Sequence, residues 1–201
     1  IDLLFKQAVE FKPAYIVTKD EESQVKLLKL LKNKGQRTEV LFGTDGYKFI
    51  AGHEKISTVL AAITGAAGLI STMEAAKKGK TILLANKESM VMAGRLLSKE
   101  CTQNNGLIIP VDSEHNAIFQ VIHDQKNPAE ISKLILTASG GPFRSLPLCE
   151  LYNVTIEAAL NHPNWNMGKK VTIDSATMMN KGLEVIEASF LFNVDHKKIE
   201  V

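Results

Sequence analysis

Short apolar segments and amphipathic helical patterns alternate along the first half of the chain. The segments at 14–18, 38–42, 81–85 and 106–111 are rich in apolar and β-branched residues, which predicts buried strands. The segments between them favour helices, as at 20–32, where apolar residues recur at helical spacing. Strands that are separated by helices pair in parallel, so the alternation predicts an α/β fold with a mostly parallel sheet and helices on both faces.

Several local features refine this first half. Asp2 is expected to cap a helix over residues 1–11, and residues 43–46 are expected to form a turn before a short helix. In the helix over residues 20–32, the apolar side is predicted to comprise Val25, Leu27, Leu28, Leu30 and Leu31.

The pattern changes after residue 125. A strand is predicted over 131–138, a long surface loop around 162–168, and a helix from Ser175 through Asn193 with a break at Gly182. We therefore predict a first domain over residues 1–125 and a second, α+β catalytic domain over 126–201.

The composition excludes several classes of protein. Hydrophobic residues make up 45% of the chain and charged residues 23%, which is typical of a globular domain with a real core. The net charge is only +2 and basic residues form no dense patch, so nucleic acid is not an expected partner. No apolar run approaches the length of a membrane span. The two cysteines fit neither zinc spacing nor a disulfide framework, which favours a reducing, cytosol-like compartment.

Charged residues follow two of the predicted strands. Asp112 and Glu114 come after the strand at 106–111, and they point to one side if the backbone stays extended through Ser113. A divalent cation would then relieve their repulsion. The alternative is an acidic N-terminus of the next helix, with Asp112 or Ser113 as its cap. Lys87 follows the strand at 81–85 and is either a ligand-binding lysine at the same sheet edge or an ordinary solvated one.

A second group of polar residues lies in the latter part of the chain. The turn at 139–141 (SGG) offers free backbone N–H groups to a phosphate, or is simply a tight turn that needs positive φ. In a helix, Asn180, Lys181 and Glu184 share one face near Ser175. That face suits an anion beside a cation; the alternative is an exposed ion pair.

The loop at 162–168 contains the only tryptophan of the chain, Trp165. We interpret it as a lid over a ligand, with a loop anchor as the alternative. His162 either donates a hydrogen bond to a phosphate or is an ordinary surface histidine. The other histidines form no metal-ligand pattern: His53, His115, His123 and His196.

Six segments in this order resemble the 1-deoxy-D-xylulose 5-phosphate reductoisomerase family. They are residues 65–68 (GAAG), 84–89 (LANKES), 110–120 (PVDSEHNAIFQ), 138–144 (ASGGPFR), 162–168 (HPNWNMG) and 174–184 (DSATMMNKGLE). The resemblance covers essentially the whole chain. It implies a Rossmann-like NADPH-binding domain followed by a catalytic domain. It also implies a cytoplasmic enzyme (plastid in a plastid-bearing eukaryote) that is a homodimer and converts deoxyxylulose phosphate to 2-C-methyl-D-erythritol 4-phosphate.

The resemblance also implies residue roles. The catalytic residues would be Lys87, Asp112, Glu114 and Glu184, and the last three would bind Mg²⁺ or Mn²⁺. Substrate would be bound by Lys87, Glu114 and Glu184 together with Ser113, Ser139, His162, Trp165, Ser175, Asn180 and Lys181. Asn86, Glu88 and Gly168 would lie near the nicotinamide of NADPH, and Trp165 and Met167 would belong to a flexible lid.

The chain departs from the family pattern at both ends. The family's glycine-rich turn for NADPH would precede Ile1, and its C-terminal helical domain would follow Val201. We therefore expect a Rossmann-like sheet that is incomplete at its N-terminus, and a segment that is inactive by itself. Two other functions stay open: an NAD(P)-dependent dehydrogenase with another substrate, and a metal-dependent sugar-phosphate binding module.

Overall fold

The computed structural model of the chain describes residues 1–122 and 130–201. Its helices are α1 (Asp2–Phe11), α2 (Glu21–Lys32), α3 (Gly43–Gly52), α4 (Gly68–Lys77), α5 (Lys87–Gln103), α6 (Ser113–Ile122), α7 (Ile156–Ala159), α8 (Lys169–Ala176) and α9 (Met179–Leu191). Its strands are β1 (Tyr15–Thr18), β2 (Glu39–Phe42), β3 (Thr58–Ala61), β4 (Thr81–Leu84), β5 (Leu107–Pro110), β6 (Leu134–Ile135) and β7 (Ile199–Glu200).

The chain divides into two compact units. The first comprises residues 1–59, 69–82 and 100–107, and the second comprises 60–68, 83–99 and 108–201. In the first unit β1 pairs in parallel with β2, with Tyr15 opposite Glu39. Its core is a cluster of fully or nearly fully buried residues: Ala8, Ile16, Leu27, Leu31 and Val40.

The strands β3, β4 and β5 form a three-stranded sheet in that order, and each is followed along the chain by a helix. The predicted α/β class with parallel strand pairing is confirmed. In the second unit β6 pairs in parallel with β7, with Leu134 opposite Ile199. The core of this unit is built from Ile131, Leu134, Leu136, Ala188, Phe192 and Val194.

Three predictions for the first half are wrong in detail. Asp2 is the first residue of α1 and not its cap, since Ile1 occupies the cap position. Val25 and Leu28 of α2 are 43% and 42% exposed, because α2 buries only the narrow stripe that contains Leu27 and Leu31. The segment 43–46 opens α3 directly. A Cβ on Gly46 would lie 2.8 Å from a Val17 methyl carbon, so the glycine serves close packing there.

The second half differs more from the prediction. The strand predicted over 131–138 is regular only at Leu134–Ile135, and β7 was not predicted. Ser175 lies in the last turn of α8, not at a helix start. The helix breaks at Met178, which has a φ of 61°, while Gly182 lies inside α9. The domain boundary predicted near 125 and the predicted helix end at His123 lie outside the described residues.

Among the described residues, no helix is both long and apolar enough to span a bilayer.

Candidate active site

The turn between β4 and α5 is fixed by the side chain of Asn86. Its amide nitrogen donates to the carbonyls of Ile63 at 2.6 Å and Gly65 at 3.0 Å, and its oxygen accepts from the Ser89 backbone N–H at 2.8 Å. Asn86 is only 2% exposed. These bonds cap α5 and hold Lys87 as its first residue.

The turn between β5 and α6 brings in two acids. The strand ends at Pro110 and the helix begins at Ser113, so the backbone is not extended through Ser113 as one prediction required. The acids lie instead at the N-terminus of α6, where the helix dipole favours negative charge. The Ser113 hydroxyl donates to Glu114 Oε2 at 2.6 Å, and the Asn116 amide donates back to the Pro110 carbonyl at 2.9 Å.

Helix α9 contributes the third acid. The left-handed residue Met178 ends the connection from α8, and α9 then presents Asn180, Lys181 and Glu184 on one face. Glu184 is fully buried and Lys181 is 6% exposed. The alternative of an exposed ion pair is therefore wrong.

Three carboxylates and two ammonium groups meet at this point. One carboxylate oxygen from each of Asp112, Glu114 and Glu184 lies within 4.8 Å of the others. Lys87 Nζ lies 2.6 Å from Asp112 Oδ2 and 3.1 Å from Glu184 Oε1. Lys181 Nζ lies 3.4 Å from Glu114 Oε1 and also donates to Glu184 Oε2 and to the Thr137 carbonyl. The two lysines thus offset most of the repulsion among the acids.

The pKa shifts follow from this arrangement. For Glu114, burial acts to raise the pKa, but the Ser113 hydrogen bond and the Lys181 charge outweigh it and lower the pKa to about 2. For Lys87, burial acts to lower the pKa, but the charges and hydrogen bonds of Asp112 and Glu184 raise it overall. Both groups are therefore charged at neutral pH.

The three acids fit a hard divalent cation. They supply only oxygen donors, they come from two helices, α6 and α9, and their oxygens already converge. Mg²⁺ and Mn²⁺ are bound by carboxylates of this kind.

A cavity of about 590 Å³ lies beside the acids. Most of the residues predicted to act on a substrate line it: Lys87, Asp112, Ser113, Glu114, Ser139, His162, Trp165, Met167, Ser175, Asn180 and Glu184. A smaller adjoining pocket is lined by Gly140, Gly141 and Lys181 together with Ser139 and Ser175.

The turn at 139–141 has the backbone that its glycines allow. Gly140 and Gly141 have φ values of 79° and 67°, so the turn needs the positive φ that glycine allows, and its use in phosphate binding stays a prediction. His162 Nδ1 lies 3.2 Å and 3.0 Å from the backbone nitrogens of Asn164 and Trp165 and accepts from both, so the ring proton is on Nε2. His162 Nε2 lies 3.1 Å from Ser139 Oγ and therefore donates a hydrogen bond to it.

The loop at 162–168 is exposed on one side and faces the cavity on the other. Trp165 is 65% exposed and lines the cavity, so it is not a core tryptophan. The lid interpretation stays a prediction.

The three residues predicted near the cofactor make contacts outside the cavity lining, and their role near a cofactor stays a prediction. The side-chain amide of Asn86 makes the internal hydrogen bonds described above. Glu88 accepts from Asn86 at 3.1 Å and pairs with Lys170 at 2.9 Å, while Gly168 is the cap residue of α8. Within the described part of the chain, these three are not among the residues that line the cavity.

Two buried residues next to the acids were missed by the sequence analysis. His115 and Glu187 are both 0% exposed. Burial raises the pKa of Glu187 to about 8, with a further rise from the Asp112 charge, and burial lowers the pKa of His115. Helical spacing was the available signal, because His115 follows Asp112 by three residues and Glu187 follows Glu184 by three.

Two family descriptions match the chain. Residues 1–94 match 1-deoxy-D-xylulose 5-phosphate reductoisomerase, and residues 108–192 match the C-terminal domain of the same enzyme. The chain belongs to the 1-deoxy-D-xylulose 5-phosphate reductoisomerase family. The recognition that rested on six sequence segments is thereby confirmed.

Curated relatives and solved structures agree. The reductoisomerase of Lawsonia intracellularis is 49% identical over 201 residues, covering 100% of this chain and 50% of the relative. That of Francisella tularensis is 53% identical over 203 residues, covering 100% and 52%. The chain thus spans about half the length of the curated relatives it matches.

Among solved structures, a DOX-P reductoisomerase in complex with NADPH, fosmidomycin and magnesium superposes with a TM-score of 0.93 at 46% identity. The superposition covers 100% of this chain and 51% of the chain in the solved structure. The reductoisomerase from Zymomonas mobilis in complex with NADPH gives a TM-score of 0.87 at 42% identity, covering 98% and 49%.

Proposed function

We propose that the protein carries out the divalent-metal- and NADPH-dependent isomerisation and reduction of 1-deoxy-D-xylulose 5-phosphate to 2-C-methyl-D-erythritol 4-phosphate. The observation that carries this proposal is the convergence of Asp112, Glu114 and Glu184 beside a cavity lined with hydrogen-bond donors. A simple dehydrogenase has no need of three such acids. The solved relatives support the proposal, since one is a complex with NADPH, fosmidomycin and magnesium and the other is a complex with NADPH.

At the metal end of the cavity, Asp112, Glu114 and Glu184 would hold Mg²⁺ or Mn²⁺. When bound, the cation supplies Lewis acidity that polarises substrate oxygens and stabilises developing negative charge. Lys87 lies at 2.6 Å from Asp112 and would donate from its ammonium group to a substrate hydroxyl or carbonyl oxygen. Ser113 would contribute a second donor at the same end.

At the other end, Ser139, His162, Ser175, Asn180 and Lys181 would hold the phosphate. The Ser139 oxygen already accepts from His162 Nε2 and from the Gly141 N–H at 3.2 Å. Its own hydroxyl proton is therefore directed elsewhere and is available to an anion. Lys181 supplies the positive charge that a phosphate requires.

NADPH supplies the hydride of the reduction. Because the Asn86 amide is satisfied internally, we assign Asn86 the role of holding the turn at Gly65 and the N-terminus of α5. Asn86, Glu88 and Gly168 all stay predictions as cofactor-proximal residues. We further propose that Trp165 and Met167 close over bound substrate and exclude water, and that the enzyme is a cytoplasmic homodimer.

Substitution of Asp112 tests the proposal. In the intact protein, Asp112→Asn should abolish Mn²⁺ binding and NADPH oxidation with deoxyxylulose phosphate. Binding is measured by electron paramagnetic resonance: the unsubstituted protein should reduce the free-ion signal of Mn²⁺, and Asp112→Asn should leave it unchanged. Asp195→Asn is the matched control, because Asp195 is an exposed acid that caps a short 3-10 helix.

Mn²⁺ affinity that is unchanged by Asp112→Asn would overturn the metal site. Normal Mn²⁺ binding without NADPH oxidation by the unsubstituted protein would overturn the proposed reaction.

A further inference from the structure

We propose that His115 and Glu187 are positioning residues for the three acids: the His115 ring ties α6 to α9, and Glu187 holds that ring from its other side. This inference rests on the proposed function, in which the three acids hold a divalent cation.

The first step is the contact between the two helices. His115 belongs to α6, directly after Glu114, and its Nε2 lies 2.9 Å from the Glu184 backbone carbonyl in α9. A carbonyl oxygen only accepts, so Nε2 carries the proton and donates it. The ring also stacks on Phe192, with the ring centroids 6.4 Å apart. One buried side chain thus links the backbone of Glu184 to the helix that carries Glu114.

The second step is the other ring nitrogen. With the proton on Nε2, Nδ1 of a neutral ring has a lone pair, and the nearest acid oxygen is Glu187 Oε2 at 3.5 Å. Neither Nδ1 nor either Glu187 carboxyl oxygen has a hydrogen-bond partner among the described residues. Burying such groups without partners is unfavourable, which favours a hydrogen bond in solution in which the neutral Glu187 carboxyl group donates to Nδ1. A partner of this kind fixes the orientation of the ring, as outer-shell groups do at metal sites.

The third step concerns a competing occupant. Asp112, His115 and Glu187 each offer one atom within 4.8 Å of the others, so a second cation is a conceivable guest. However, His115 and Glu187 are fully buried and are not among the described residues that line the cavity, whereas Asp112, Glu114 and Glu184 line it. A hydrated cation can reach the three acids from the cavity but finds no such opening at His115 and Glu187, which favours the positioning role.

Paired substitutions separate these possibilities. Glu187→Gln keeps a donor that can reach Nδ1, and Glu187→Leu removes it. His115→Gln keeps a donor near the position of Nε2, and His115→Leu removes it. In the intact protein, both leucine variants should weaken Mn²⁺ binding by about 10- to 100-fold, the usual effect of losing an outer-shell partner. Both glutamine variants should stay within about threefold of the unsubstituted protein, because each keeps the essential hydrogen bond.

Val194→Ala is the control for stability. Val194 belongs to the same apolar cluster as Phe192, and its side chain has no charged or hydrogen-bonding group. It should lower the melting temperature and leave Mn²⁺ affinity unchanged. Leucine variants with normal Mn²⁺ affinity would overturn the positioning role. So would a stoichiometry of two ions per chain that falls to one in Glu187→Gln, since that result assigns Glu187 to a second cation. If Asp112→Asn also leaves Mn²⁺ binding intact, the proposed function fails instead.

Discussion

The cores of the two units are built on different principles. In the first unit, Leu27 and Leu31 of α2 pack with Ile16 and Val40 of the parallel strand pair, and every member of that cluster is apolar. In the second unit, an apolar cluster around Phe192 is accompanied by fully buried Glu184, Glu187 and His115. The first core needs mainly the right volume and shape, whereas the second needs a specific partner for each buried polar group.

The difference teaches where selection for stability and selection for function lie. Apolar burial contributes roughly 25 cal/mol per Å² without regard to direction. Buried ion pairs contribute little net stability, because desolvation opposes their attraction. The lysine and carboxylate cluster at α5, α6 and α9 is thus poorly explained by stability and well explained by ligand binding.

The largest expected effect is a loss of stability caused by a substitution in the first core. Leu27→Ala should lower the free energy of unfolding by about 2–5 kcal/mol, because Leu27 is fully buried and its truncation leaves a cavity. Denaturant unfolding measures the loss. Mn²⁺ affinity at a temperature where the variant is folded should be unchanged, since the two cores have separate roles. A matched loss of Mn²⁺ affinity in folded protein would show that the distinction between the cores is wrong.

The next effect concerns the charges of the second core. Lys181→Ala should weaken binding of the substrate phosphate by about 1.5–3 kcal/mol, the scale of a charge-assisted hydrogen bond. Titration calorimetry with deoxyxylulose phosphate measures it. The control is Lys170→Ala: its side chain is 47% exposed and pairs with Glu88 and Asp174, so its loss should change affinity by less than about 1 kcal/mol. Equal losses in both variants would remove Lys181 from the phosphate site.

Sequence patterns predicted the first half of the chain well because its signals are local. The strands at β1, β2, β4 and β5 are short apolar runs, and each is followed by a helix with its own start signals. The failures there were at the level of single side chains. Whether Leu28 is buried depends on what packs against α2, and its own helix cannot show that.

The candidate site was less accessible to sequence reasoning. Spacing alone placed Lys181 and Glu184 on one helix face, but left open whether that face was exposed. The helix break at Met178 depends on a left-handed non-glycine residue, which no turn signal marks. Glu187 was missed because its partner, His115, lies 72 positions away along the chain and on another helix. Long-range pairing of this kind is decided by tertiary packing.

The last prediction concerns the pH dependence that buried Glu187 introduces. Glu187 has a pKa near 8 in the folded chain, against an ordinary value of 4.5, because it is buried. Between these two values the folded state holds a proton that the unfolded state has lost, so stability falls as pH rises. The slope contributed by one such group is at most about 1.4 kcal/mol per pH unit. Chemical unfolding of metal-free protein at pH 5, 6, 7 and 8 should therefore show a decline that is absent in Glu187→Gln and preserved in Leu27→Ala. Parallel curves for Glu187→Gln and the unsubstituted protein would mean that Glu187 is ionised in the fold, and the contrast between the two cores would then have to be drawn without it.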